Sequence, residues 1–397
     1  MHDGGSSAER VTAERGGRRG LFRWAAEHRL LACGVAVAVL AAGVAVPLAV
    51  AGGGDGPGPC HRLPASARAL ADDPAAATKA LDPGADLARL GAAKQLLAHE
   101  RVCGDGARVL GRVVTAATRA AGPGEPHTMA QARSAYAVAA ALHDVDLPAG
   151  LAPGVARMVA EYVVDAGRDK MLHDDDATGP AAPPEAARLD RSGYVWLGRL
   201  LAPGDAHALF EYGGGPAGSG ADIEGLVAEL AKDPEAFAVL YDAERAYFAY
   251  YLEHLTREGG DPDHRATGRT YATTATTWPD NDLEDIADRV GDLMKYRAKY
   301  AEDGTVPDLA AFDARVRAHT RGTFRPASRQ LRSRVPMGDI ADRPASGPLR
   351  GPLTDGRYQL QTVLDRWARQ RHVPERRAAA MRQLMDDAYV RALWLTV

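Results

Sequence analysis

The stretch DPEAFAVLYDAERAYFAYYLEHLTREGG, residues 233–260, decides the fold class. Asp233 is a natural helix N-cap. Pro234 suits the first turn, where its missing N–H has no intrahelical partner to lose, and Gly259-Gly260 end the run. Between them Phe237, Leu240, Tyr241, Phe248, Tyr251, Leu252 and Leu255 form a broad apolar stripe, widened by Tyr247 and Tyr250. Aromatic residues are only 6% of the chain, so their concentration here predicts a central core helix over 234–258. The alternative is a ligand cleft lined by tyrosines.

Helical patterning continues on both sides. Toward the N-terminus, Ala-rich helices are expected over 64–72, 85–102, 106–121, 128–143 and 152–171. In the last, Val155, Met158, Val159, Tyr162 and Val163 share one face, and Pro153 lies near the start. A helical stretch over 192–211, broken near Pro203-Gly204, precedes a Gly-rich run at 213–220. Toward the C-terminus a Thr-rich connector at 267–277, with room for a short strand, leads into a helix over 281–300. Its apolar positions are Leu283, Ile286, Val290, Leu293 and Met294. Asp282, Glu284 and Asp285 in its first turn, and Lys295, Arg297 and Lys299 in its last, complement the helix dipole and read as structural. A helix over 307–319 follows. A hairpin of 357–372 and 374–395, broken at Pro374, closes the chain and buries Met381, Leu384, Met385 and Ala388, with Leu393 and Trp394 as further candidates.

The expected fold is therefore all-α: a multi-helix array, divisible into subdomains at 64–172 and 185–397. The polar, Pro-rich break at 173–184 is the candidate linker. Leu-Ala-Pro-Gly occurs at 151–154 and at 201–204, but the flanking residues do not match and no repeat is read.

Leu30–Ala51 is 22 residues without a charge. As a helix it can cross a hydrocarbon core of roughly 30 Å. The leader at 1–29 carries Arg10, Arg15, Arg18, Arg19, Arg23 and Arg29, whereas no basic residue follows the apolar run until Arg62. Lys and Arg are retained on the cytoplasmic side, so a single-pass cell-membrane protein is expected, with a cytoplasmic N-terminus and extracytoplasmic residues 52–397. Phe22 and Trp24 fit the inner headgroup level. The alternative is a signal peptide with Ala49 and Ala51 marking the cleavage site and a secreted product. The length of the run Leu30–Val46 favours the anchor. Arg18-Arg19 resembles a twin-arginine signal, but Glu27, His28 and Arg29 interrupt the approach to the apolar core. A Gly/Pro tether, 52–63, leads out of the membrane.

Cys33 lies inside the apolar run, leaving Cys60 and Cys103 outside it. An even pair in an oxidising compartment predicts one disulfide, stapling the emerging chain to the helix that ends near Cys103. Of the chain's 48 basic and 52 acidic residues, six and four lie in the leader, leaving a net charge of −6 beyond the membrane segment. That mild acidic balance gives no support to nucleic-acid binding. The Ala, Gly and Arg bias is that of a GC-rich bacterial genome, actinobacterial in style.

Motifs that carry chemistry are weak. Gly213-Gly214-Gly215-Pro216-Ala217-Gly218 matches G-x-G-x-x-G, but His207–Tyr212 before it reads as helix, not strand, so a connector is expected. His173–Asp176, Asp261–His264 and Asp280–Asp282 offer oxygen and imidazole donors without calcium-loop spacing, and read as solvated turns and caps. His99-Glu100-Arg101-Val102-Cys103 lacks the second His of a zinc-protease helix. Neither a metal nor a cofactor is expected. Arg321, Arg325, Arg329, Arg332 and Arg334 lie in a long basic segment, 321–353, and form a candidate anion-binding set. The expected role is a non-catalytic interaction or scaffold module at the cell envelope with a protein partner. The alternatives are an envelope hydrolase using carboxylates such as Glu253 or Asp263, or a binder of anionic envelope polymers through 321–350.

Overall fold

A computed structural model describes residues 60–121, 125–167, 179–187, 204–213, 220–260, 277–320 and 356–394. The first helices are short. α1 (Ala65–Ala69) runs into a 3₁₀ turn, Leu70–Asp72, and α2 (Pro74–Leu81) starts on an Asp73 side chain that accepts from the Ala76 amide. α3 (Leu90–Leu97), α4 (Gly106–Thr118) and α5 (Met129–Leu142) follow. Thr128 and Gln131 form a capping box at the start of α5, each side chain satisfying an amide of the other. α6 (Ala152–Glu161) and α7 (Val163–Ala166) are parted by Tyr162.

Two two-residue strands, β1 (Ala181–Ala182) and β2 (His207–Ala208), pair antiparallel with Ala181 opposite Ala208 and Ala182 opposite His207. α8 (Ile223–Leu230) leads to α9 (Pro234–Glu253), the aromatic helix, with Asp233 accepting from the Glu235 and Ala236 amides. α10 (Thr277–Glu302), α11 (Leu309–Thr320), α12 (Arg357–Arg371) and α13 (Glu375–Trp394) complete the described chain. The all-α expectation holds in this form: the protein is mostly helical.

Burial follows the sequence pattern. Phe237, Leu240, Tyr241, Tyr247, Phe248, Tyr250, Tyr251, Leu252 and Leu255 are all buried, so α9 is the core helix rather than the wall of an open cleft. It packs on α6 on one side and on α10, α11 and α12 on others. α4 packs on α2, α5 and α6, and crosses α6 where Gly111 meets Gly154. A Cβ on Gly154 would lie 2.3 Å from the Gly111 carbonyl oxygen, so backbone touches backbone here. α10 lies along α13, with Gly291 against Tyr389 and Ala392. The described residues belong to one compact unit.

Several local expectations fail. The helix expected over 85–102 is shortened to Leu90–Leu97, and α2, unforeseen, uses the Asp-Pro start at 73–74. α8, equally unforeseen, is capped by Asp222. The expected helix over 192–211 does not extend to its C-terminal end. His207–Ala208 is a strand, drawn into pairing with Ala181–Ala182 inside the segment expected to be a linker. α10 begins at Thr277, so Asp282, Glu284 and Asp285 are not its first turn. Glu284 instead faces Arg391 of α13. Trp394, a candidate for burial, is 76% exposed. The leader 1–29, the span 30–51, the cleavage residues Ala49 and Ala51, and the tether up to residue 59 lie outside the described residues. Among the described residues, no helix is long and apolar enough to cross a membrane.

Candidate functional site

The densest buried polar chemistry lies where three segments distant in sequence converge. α6 ends at Glu161. Tyr162 breaks the helix (φ −104°, ψ 29°), and the short α7 carries Asp165. His127 immediately precedes the N-cap of α5. Asp205 comes from the turn leading into β2, and His207 is the first residue of that strand.

His127 lies between two carboxylates, with Nε2 3.3 Å from Glu161 Oε1 and Nδ1 3.5 Å from Asp205 Oδ1. The backbone reinforces the pairing. The His127 amide donates to Asp205 Oδ1 (2.8 Å), and the Ala206 amide donates to the His127 carbonyl (3.2 Å). Beside it, His207 Nδ1 is 3.1 Å from Asp165 Oδ1, and the Ala208 amide donates to Asp165 Oδ2 (3.0 Å). The Tyr162 ring tilts against His127 at 4.7 Å, and its hydroxyl donates to the Thr118 carbonyl of α4 (3.0 Å). All six ionisable residues are buried, with Tyr162, Asp165, Asp205 and His207 at 0% exposure.

Burial by itself favours neutral His127. The neighbouring carboxylates of Asp205 and Glu161, 3.5 and 3.3 Å from its ring nitrogens, overcome this and raise its pKa above that of an ordinary histidine. Tyr162 is driven well above the usual phenol value, first by burial and then by the charges of Asp165, Glu161 and Asp205. The arrangement can hold a proton between Glu161 and Asp205 out of contact with water. Among the described residues, no group of three or more His, Cys, Asp or Glu is arranged to hold a metal ion.

The other constellation the structure assembles is the disulfide. Cys60 and Cys103 are bonded, with Cα atoms 5.1 Å apart. The chain beside it is clamped, since the His61 amide donates to the Arg101 carbonyl and the Cys103 amide to the His61 carbonyl, both at 2.8 Å. His61 stacks on His99 with ring centroids 3.7 Å apart. Burial, then the neighbouring His61, lowers the His99 pKa.

The remaining residues singled out by sequence do not converge on one place. Glu253 forms an ion pair with Arg371 at 2.9 Å, and His254 Nδ1 meets the Tyr250 carbonyl at 2.8 Å. Asp280 is held by Arg377 at 2.5 Å. Arg321, Arg325, Arg329, Arg332 and Arg334 lie outside the described residues, as do Asp263, the His173–Asp176 and Asp261–His264 clusters, and Gly214–Gly218. His127, Glu161, Asp165, Asp205 and His207 were not foreseen. The one local signal was Glu161 and Asp165, four apart, the first inside the largely apolar run Val155–Val164 and the second directly after it. Compared with models of protein families, with curated proteins and with solved structures, the chain finds no match.

Proposed function

We propose that this chain is a membrane-anchored, extracytoplasmic helical module of the bacterial envelope that acts by binding a partner protein rather than by catalysis. The observation that carries the reading is the Cys60–Cys103 disulfide. Disulfides form and persist in oxidising compartments. This one ties down the chain near the end of the Gly/Pro tether that follows the uncharged run Leu30–Ala51. A leader rich in arginine, an apolar run of membrane length, a tether and then a stapled helical unit is the order expected of an anchored ectodomain. The aromatic residues of α9 serve the core, which supports a framework role for that helix.

The test is made on the full chain with a C-terminal tag. It is expected to remain with membranes after alkaline carbonate extraction, and the tag to be digested by protease added to cells stripped of their wall. Cross-linking in intact cells should then capture a reproducible envelope protein. A chain released with its N-terminus at Gly52, a protease-protected tag, or hydrolytic turnover of envelope substrates by the purified protein would each overturn the corresponding part of the reading.

A further inference from the structure

Arginine is concentrated where α12 turns into α13. Residues 366–377 read RWARQRHVPERR, five arginines against the single acid Glu375. The backbone between the two helices is held by its own hydrogen bonds. His372 takes the left-handed conformation (φ 53°), and its amide donates to the Ala368 and Arg369 carbonyls. The Val373 amide donates to the Ala368 carbonyl and the Arg377 amide to the Pro374 carbonyl, both at 2.9 Å. The end of α9 is fastened to this turn. Arg371 pairs with Glu253 at 2.9 Å, Arg257 Nε donates to the His372 carbonyl at 3.3 Å, and Arg377 Nη2 donates to the Gly259 carbonyl at 3.2 Å.

Three acids at this end each hold one arginine: Glu253 holds Arg371, Asp280 holds Arg377 and Asp365 holds Arg382. Arg257, Arg369 and Arg376 are exposed, and Arg366, one turn before Arg369 on the same face of α12, is half-buried. None of these four is in an ion pair among the described residues. Glu375 occupies the first turn of α13, where the helix dipole favours an acid, and Glu258 is exposed beside Arg257.

We propose that this end of the molecule, the α12–α13 turn with the last turn of α9, receives the partner protein through an acidic segment of that partner. The inference rests on the partner-binding reading and names the surface that does the binding. A guanidinium is always charged, weakly hydrated and shaped to give a carboxylate two parallel hydrogen bonds. The unpaired arginines stand on a backbone already fixed, so binding does not have to order the chain that carries them. Two features favour an acidic protein segment over a phosphate polymer. Glu258 and Glu375 stand among the arginines, where a uniformly charged polymer meets repulsion and a protein segment can place a neutral or basic residue. The chain as a whole carries a net charge of −4, which gives a polyanion no long-range attraction.

Fluorescence anisotropy with the purified full chain and a dye-labelled peptide of alternating glutamate and glycine tests this. Binding is expected to weaken with added salt and to fall by about tenfold when Arg369→Gln and Arg376→Gln are combined. Arg108→Gln with Arg112→Gln removes the same charge from exposed positions of α4 and should change binding by less than about twofold. Equal losses in the two double variants, no binding by the parent chain, or tighter binding of polyphosphate of the same total charge would overturn the proposal. The same variants are then cross-linked in intact cells, where capture of the envelope protein should be lost in the first and kept in the second. Capture kept in both overturns this surface and leaves the partner-binding reading standing, whereas no capture even by the parent chain overturns that reading as well.

Discussion

Helices α4 and α6 meet through glycine, whereas α9 meets its neighbours through aromatic rings. At the first contact Gly111 and Gly154 bring two backbones together with no side chain between them. At the second, Phe237 packs edge-on against Phe312 of α11 with centroids 5.4 Å apart, and the Arg289 guanidinium lies 5.0 Å over the Tyr247 ring. The buried residues follow the same division. From residue 63 to residue 164 they are chiefly Ala, Val and Leu, with Tyr136 and Tyr162 as the large rings, whereas the later helices bury Phe237, Tyr241, Tyr247, Phe248, Tyr250, Tyr251, Trp367 and Tyr389. A small-residue interface gains from close approach and tolerates no added volume. An aromatic interface gains from large apolar area and tolerates no loss. The N-terminal helices, with less area per side chain, also carry the covalent staple, Cys60–Cys103.

That contrast can be broken by substitution. The largest effect is expected from Phe248→Ala, which empties a fully buried ring site in α9 and should cost about 4 kcal/mol in urea unfolding. A cost below about 1 kcal/mol would mean that the aromatic core collapses around the gap and is not close-packed. Next is Cys60→Ser. The bond closes a loop of 43 residues, so its loss should lower stability by up to about 4 kcal/mol, with reductant producing the same change in the parent chain and none in the variant. Reductant-insensitive unfolding of the parent would show that the N-terminal helices do not depend on the staple.

Gly154→Ala adds one methyl group where 2.3 Å is available, and about 2 kcal/mol of destabilisation is expected from the forced separation of α4 and α6. The smallest effect has the opposite sign. Gly91 lies in α3 with nothing within 4 Å of an added Cβ, so Gly91→Ala should stabilise by about 0.8 kcal/mol through helix propensity alone. Shifts of opposite sign for these two glycines in thermal melts, the loss larger than the gain, sharpen the comparison. Equal losses would show that the Gly111–Gly154 contact is not special.

Much of the architecture was legible because it is written locally. Asp233-Pro234 is a start signal that works through neighbouring amides and acts as read; Thr128-x-x-Gln131 is one of the same kind, though only the helix from 128 was expected there and not its cap. The stripe on α9 was legible because its period is that of the helix itself. α2 and α8 were missed although Asp73-Pro74 and Asp222 are signals of the same kind, since each helix is only eight residues long, too short for a period to repeat. The His127 cluster was not legible. Its members come from residues 127, 161, 165, 205 and 207, and no spacing along the chain announces that they share one buried place.

The sequence by itself determined the helical class, the core helix and the cysteine pair, because caps, period and composition act between residues a few positions apart or by elimination. Only the tertiary structure decided that His207–Ala208 is a strand, that Trp394 faces water, and that His127 stands between Glu161 and Asp205. Those outcomes depend on which segments meet across the fold, where a partner's amide or carboxylate outweighs the local preference of the residue itself.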